Sequence, residues 1–365
     1  MMDFLKYNKF GPIGLDIGHD SIKMLQLGLR GGQVSVLGAA KSEVRLEGAG
    51  SRKIAGTNAI AGMYIQGGFR GKNVITCLSN EDVKVKSIRT EACDESTLDE
   101  KLVSEIAPRF GLNNDTHAIQ YMIAGRVQQG DEFKNELLVF SVEKEIIKSH
   151  IEMIEAAGLV PVGIDTVPCA MFRSFERIMR RHEDKDSVKV YVDIGSSFTT
   201  VVVGRGFEIS FIKQIPMGGE SINTEIAGKL GIDGSAAAKL RAKLNDETGT
   251  VDQATRDSVA SAMGPVVEQL AREISLCFKY YSVMFRGSRP VKAVFSGGQA
   301  YQRELMGALE NQLGVEIEIA EPVRGFDCSG TSLVSTKGCE WAVAVGLSLK
   351  GWDGQEAAAG AYERN

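Results

Sequence analysis

The chain has no C-x-x-C pair among its six cysteines, Cys77, Cys93, Cys169, Cys277, Cys328 and Cys339, and no histidine at metal-ligand spacing from them. That argues against a zinc site and leaves buried thiols in a reducing cytoplasm as the simplest account. No run approaches the roughly 20 apolar residues that a membrane span needs. Residues 1–11 carry charges but no apolar export-signal core. The expectation is a cytoplasmic protein without direct membrane insertion. An excess of positive charge is missing as well: the formal net charge is −5 and the pI about 5.6. This argues against a nucleic-acid binder driven by phosphate contacts. A Walker A loop is also absent, because around Gly71-Lys72 the required first glycine is Gln66 and the closing Ser/Thr is Asn73.

What is present fits an ordinary globular protein of two domains, with 365 residues, 43% of them hydrophobic and 24% charged. Its organising feature is a pattern that occurs twice. Gly14-Leu15-Asp16-Ile17-Gly18-His19-Asp20-Ser21 leads into the run Ile22 to Leu27, and Tyr191-Val192-Asp193-Ile194-Gly195-Ser196-Ser197 leads into Phe198 to Val203. Each copy reads as strand, tight turn, strand. Successive N–H groups in such a turn, with hydroxyls beside them, can form a concavity for phosphate oxygens, and glycine admits close backbone approach. The aspartate closing each first strand would sit where a hydrated Mg²⁺ bridges phosphates. A single Asp-x-Gly hairpin is more often only a turn. Two copies at the heads of the two chain halves point to duplication.

In chain order, Gln33 to Ala39 adds a strand, Lys53 to Gln66 reads as a helix and Asn73 to Leu78 as a buried strand. The stretch 82–160 changes texture to β-α-β-β-α: Val83 to Ile88, Glu95 to Arg109, Ala118 to Gly125, Glu136 to Val142, and Glu143 to Ala157. This α+β insertion either offers a sheet edge or groove to a partner peptide or merely buries its own faces. A strand from Val160 to Ile164 then precedes a helix capped by Thr166 and running to about Arg181. Asp165 can hold a water for attack on a γ-phosphate, or serve the helix start as a carboxylate. Residues 180–186 read as a charged break between domains.

In the second half Phe207 to Lys213 returns as a strand, and Gly218-Gly219-Glu220 opens a helix whose free N–H groups can face anionic groups. On the next helix, Ser235 to Leu244, Lys239 is a solvated lysine on the bland reading. Val251 to Phe285 reads as a long helix interrupted at Gly264-Pro265. Ser296-Gly297-Gly298-Gln299 follows the strand Val291 to Phe295, and its glycines let an adenine ring lie against backbone. In the last helix, Thr336 to Leu349, the small residues Gly338, Ala342 and Gly346 allow a close crossing with the helix at Pro168 to Arg181, as a hinge would need.

The paired Asp-Ile-Gly hairpins, followed by Val294-Phe295-Ser296-Gly297-Gly298-Gln299-Ala300, resemble the phosphate-1, phosphate-2 and adenosine motifs of the actin, Hsp70 and sugar-kinase ATPases. The insertion is similar to that of FtsA and PilM. Three phrases resemble the PilM family of pilus-assembly proteins: Glu155-Ala156-Ala157-Gly158-Leu159-Val160-Pro161-Val162-Gly163-Ile164-Asp165, Ile215-Pro216-Met217-Gly218-Gly219-Glu220, and Leu270 to Ile274 followed by Phe278-Lys279-Tyr280-Tyr281. The resemblance implies an α/β actin-like ATPase fold, with two duplicated domains around a nucleotide cleft. Its parts would be 1–186 with the insertion 82–160, 187–335, a returning helix at 336–351, and a flexible tail at 352–365.

The resemblance also implies a ligand and a partner. ATP would be held by Gly18, His19, Ser21, Lys23, Gly195, Ser196, Ser197, Thr199, Gly218, Gly219, Glu220, Lys239, Gly297, Gly298 and Gln299. Mg²⁺ would be held through water by Asp16 and Asp193, with Asp165 the catalytic candidate and at most weak ATPase activity. The protein would be a scaffold of type IV pilus assembly, peripheral at the inner membrane. Its insertion would grip the cytoplasmic N-terminal tail of a PilN-like bitopic protein, with the pilus motor ATPases as further partners. His19 stands where the family usually has Ser, and Asp20 brings negative charge. Both put triphosphate affinity and hydrolysis in question. Two other classes stay open: a small-molecule kinase, which needs an acceptor site, and an FtsA-like polymer, which needs a membrane helix that Gly351 to Asn365 does not resemble.

Overall fold

The structure, a computed structural model, describes residues 10–44, 49–91, 93, 95–129, 131–177, 187–245, 251–285, 289–331, 333 and 338–351. The expectations for residues 1–9, for the break at 180–186, for the start of the last helix at Thr336 and for the tail at 352–365 lie outside the described residues.

The first apolar run forms Phe10–Ile17 (β1) and folds back as Ser21–Arg30 (β2) and Gln33–Glu43 (β3). Ala49–Gln66 (α1) carries the chain to Asn73–Leu78 (β4), parallel to β1. Next come Lys84–Glu91 (β5), Glu95–Lys101 (α2), a π-helical turn at Leu102–Ile106, Ala107–Arg109 (α3), His117–Gln129 (β6) and Glu132–Glu143 (β7). Lys144–Ala156 (α4), Val160–Thr166 (β8) and Val167–Glu176 (α5) complete the first half. The second half opens with Val188–Ile194 (β9), Thr199–Arg205 (β10) and Glu208–Ile215 (β11). Gly219–Leu230 (α6), Gly234–Leu244 (α7) and Gln253–Met284 (α8) follow, then Lys292–Ser296 (β12), Arg303–Leu313 (α9) and Glu316–Ile319 (β13). A 3₁₀ turn at Gly338–Trp341 leads into Ala342–Leu349 (α10).

The two halves share one plan. The first sheet runs β3-β2-β1-β4-β8 and the second β11-β10-β9-β12-β13. In each, the first three strands meander antiparallel and the last two add in parallel. Alternating β-rich runs give the hairpins, and helical crossovers give the parallel pairs. The helix α10, buried throughout, packs on β1 and β2 of the first sheet and against α5, which in turn touches β10 and β11 of the second.

The third sheet, order β5-β7-β6, belongs to the insertion. One face is covered by Leu98, Leu102 and Ile106, which cluster with Leu137 and Val139. On the other, Ala124 and Leu138 join the core that holds Phe211, Phe278 and Tyr281 of the second half. Glu136, only 2% exposed, fixes this docking: it pairs with Arg89 at 3.0 Å and accepts from the Tyr280 hydroxyl at 3.2 Å.

Several local expectations are corrected. The helix read as the insertion's second, α4, instead packs Met153 and Ile154 with Ile13, Leu15 and Ile60 of the first sheet and α1. Thr166 stands at the start of α5 but its hydroxyl caps nothing and is buried without a partner. Asp165 Oδ1 accepts the Thr166 N–H instead, at 2.8 Å. α8 continues through Gly264 and Pro265 for 32 residues, because buried residues on both sides of the proline, Met263 and Val267 among them, hold it helical.

Candidate functional site

The turns after β1 and β9 face each other. The Ser196 hydroxyl donates to Asp20 Oδ2 at 2.5 Å, across 176 residues of chain. Between the halves lies a cavity of about 630 Å³, within the size range of small-molecule sites. Asp16, Gly18, His19, Ser21 and Lys23 line it from the first hairpin, and Asp193, Gly195, Ser196 and Ser197 from the second. Gly297, Gly298 and Gln299, after β12, line it as well. The three motifs singled out in the sequence therefore meet in one place.

Burial shapes the electrostatics. Asp16 is 8% exposed, and burial raises its carboxyl pKa, opposed by the Lys23 ammonium 3.6 Å away. Burial pushes Asp193 up to about 6, against a 3.0 Å hydrogen bond from Ser296, with the Asp16 charge adding to the rise. Two acids raised by burial, carrying hard oxygen donors into one cavity, fit a divalent cation such as Mg²⁺. Glu43, Glu81 and Glu340 also line the cavity, and Lys41 reaches Glu340 at 3.0 Å.

Gly297 and Gly298 have different jobs. Gly297 has φ 91°, and a Cβ there would meet the Ile194 carbonyl oxygen at 2.5 Å, so this glycine seats the loop on β9. A Cβ on Gly298 would meet nothing within 4 Å, which leaves its backbone open to a flat ligand.

Other expected residues sit elsewhere or do something else. Gly18 and Gly195 donate their N–H groups to Ser21 and Phe198 inside their own turns, so they shape the hairpins. Thr199 is fully buried and its hydroxyl donates to the Met217 carbonyl at 2.8 Å. The start of α6 is not open to an anion: Gly219 N–H donates to Gly195 O at 3.0 Å and Glu220 N–H to Ser196 O at 2.8 Å. A Cβ on Gly218 would meet Ser196 O at 2.4 Å, so that glycine allows the helix to dock on the hairpin. Glu220 reaches the hairpins through its side chain, accepting from the Ser197 hydroxyl at 3.1 Å. Lys239 is exposed and does not line the cavity. Asp165 does not line it either: its Oδ2 lies 2.8 Å from Arg173 and 3.1 Å from Lys350.

Arg241, two residues beyond Lys239, was not anticipated. It is 4% exposed, lines the cavity and donates to Gly219 O at 3.0 Å, Asn223 Oδ1 at 2.7 Å and Gln299 Oε1 at 2.7 Å, and also to Gln302 Oε1. Burial lowers its pKa to about 10, where it still carries its charge at neutral pH. It ties α6, α7 and the Gly297-Gly298 loop together. Its one sequence signal was a lone arginine on an otherwise alanine-rich helix. Asn80, beyond β4, joins the halves on the other side: it donates to Thr200 Oγ1 at 2.8 Å and accepts from Gln214 at 2.9 Å.

Comparison with known proteins decides the lineage. Residues 14–352 match the family described as type IV pilus assembly protein PilM. The chain belongs to this family. A solved PilM-PilN type IV pilus biogenesis complex is similar in fold, with a TM-score of 0.78 at 22% identity, covering 95% of this chain and 100% of that one. The ethanolamine utilization protein EutJ of Carboxydothermus hydrogenoformans follows at TM-score 0.56 and 15% identity, covering 94% of this chain and 92% of that one. The cell division protein FtsA of Bacillus subtilis (strain 168) is 23% identical over 300 residues, 74% of this chain and 63% of its own length. The chain thus spans less than two thirds of that division protein. The fold is that of the solved PilM-PilN complex and of EutJ. Among the described residues no helix is long and apolar enough to cross a membrane.

Proposed function

We propose that the cleft binds ATP with Mg²⁺ and that the nucleotide sets the posture of a scaffold which holds the tail of a PilN-like membrane protein. The observation that carries this reading is the convergence of both Asp-Ile-Gly hairpins and the Gly297-Gly298 loop on one cavity with two buried aspartates. Asp16 and Asp193 would hold the cation, which neutralises phosphate charge when bound. Ser21 and Lys23 would receive the inner phosphates on the walls that Gly18 and Gly195 shape, with Ser196 and Ser197 at the tip that a terminal phosphate would reach. Gly298 would lie against the base, and Arg241 would brace the loop that carries it. Asp165, whose carboxylate is held by Arg173 and Lys350 and does not line the cavity, is left out of this set.

The coupling would run through the contacts between the parts. Regions 1–186 and 187–335 would rotate about the α5–α10 crossing, while the insertion rides on the second half through Glu136 and Tyr280. A change in cleft closure therefore shifts the insertion against the first sheet, and a nucleotide that favours one posture biases the partner site. The solved PilM-PilN complex supports the choice of partner. Such a partner would hold the chain in the cytoplasm at the inner membrane, and the pilus motor ATPases would be further partners.

The test is calorimetric titration with a peptide copying the cytoplasmic N-terminus of the bitopic protein encoded beside it, with and without Mg·ATP. Saturable binding that changes with nucleotide is expected. Nucleotide binding without any peptide binding would sink the scaffold reading.

A further inference from the structure

The tips of the hairpins are already occupied by anions of the chain itself. A serine hydroxyl has one proton to donate. Ser196 gives its proton to Asp20 Oδ2 at 2.5 Å, and Ser197 gives its own to Glu220 Oε2 at 3.1 Å. His19 stands between the two carboxylates, its Nδ1 2.7 Å from Asp20 Oδ1 and 3.8 Å from Glu220 Oε1. Both hydroxyls of the second hairpin, which would otherwise meet a phosphate, are thus engaged by carboxylates. Among the described residues the charged groups that line the cavity are mostly acidic. Asp16, Asp20, Glu43, Glu81, Asp193 and Glu340 line the cavity against Lys23, Lys41 and Arg241, and Arg241 is committed to the loops behind it.

We propose that Asp20 and Glu220 are specificity-determining residues that discriminate against a third phosphoryl group, so that the cleft holds Mg·ADP more tightly than Mg·ATP. This rests on the nucleotide reading above and deepens it. A terminal phosphoryl group reaching the hairpin tips must take the Ser196 and Ser197 hydroxyls from the carboxylates. Its own charge then stands beside the carboxylates of Asp20 and Glu220 at the rim of the cleft, and the like charges disfavour the longer ligand. A chain one phosphoryl group shorter leaves the Asp20–Ser196 and Glu220–Ser197 bonds in place. His19 offers a single imidazole donor to either side, so it cannot neutralise both carboxylates at once.

The experiment is titration of Mg·ADP and Mg·ATP into the full chain and into Asp20→Asn, Glu220→Gln and the double variant. Melting curves check that each remains folded. Asp20 is exposed and its exchange disturbs no core contact. The wild type is expected to bind Mg·ADP about tenfold more tightly than Mg·ATP. Asp20→Asn should tighten Mg·ATP about tenfold and change Mg·ADP by less than about twofold, with the double variant closing the gap. Equal affinities in the wild type, or variants that strengthen both nucleotides alike or neither, would overturn the inference and leave the cleft reading standing. Binding of neither nucleotide by any form would overturn both.

Discussion

Gly346 of α10 and Ala170 of α5 pack backbone to backbone: a Cβ on Gly346 would stand 1.7 Å from the Ala170 carbonyl oxygen. Arg173 then clasps the same turn by donating to Gly346 O at 3.1 Å. Gly14 of β1 continues the contact, since a Cβ there would lie 2.2 Å from Ala344 O. The close helix crossing expected from small residues is therefore real at Gly346, while a Cβ on Gly338 would meet nothing within 4 Å.

Gly346→Ala should destabilise the protein by about 3 kcal/mol or more, because backbone on both sides has to move apart. Gly338→Ala should stay within about 0.5 kcal/mol. Urea unfolding of both variants compares them directly. A Gly346→Ala protein as stable as the wild type would show that the helices can slide without cost.

Asp193 is expected to make the nucleotide-free protein less stable at neutral pH. Its pKa in the folded state is pushed up to about 6 from an ordinary 3.8 by burial, so folding favours the protonated form. The contribution is fully present below the unfolded value and is lost as pH rises through the folded one, between about 4 and 6. Asp193→Asn should therefore raise stability at pH 7.5 by on the order of 2 kcal/mol, with no such gain at pH 4. It should also abolish the stabilisation by Mg·ADP. A melting shift that is independent of pH would contradict the assignment.

Arg241→Ala removes the donor shared by Gly219, Asn223, Gln299 and Gln302. Leaving these acceptors buried should cost about 2–4 kcal/mol of stability and weaken nucleotide binding as the Gly297-Gly298 loop loosens. Lys239→Ala, on the exposed side, should change neither by more than about 0.5 kcal/mol. Paired melting and titration curves separate the two positions.

A double-mutant cycle can weigh the docking of the insertion. Tyr280→Phe removes the hydroxyl that Glu136 accepts from, and Glu136→Gln removes the charge that holds Arg89. The coupling energy between them should be about 1.5–3 kcal/mol, in line with a hydrogen bond to a charged group. Additive effects would mean that the insertion is held by its apolar face alone.

The sequence by itself determined the duplicated hairpins, the two aspartates that close their first strands and the Gly297-Gly298 turn. Each is a local pattern, and strand alternation with turn chemistry carries it without help from distant residues. Tertiary structure decided what stands across from them. Lys239 and Arg241 differ by two positions on one helix, roughly 200° of rotation, and only packing against α6 and the Gln299 loop selects the arginine as the buried one. Asp165 was open between two roles until Lys350, 185 residues away, and Arg173 closed on it. The Thr199 hydroxyl went to Met217 and the amides of α6 to the second hairpin, because buried polar groups take the nearest partner that folding brings, whatever ligand their sequence context suggests. The allegiance of α4 to the first sheet and the seat of the insertion on the second half were settled in the same way. An apolar stripe says that a face will be buried, and the chain's topology says against what.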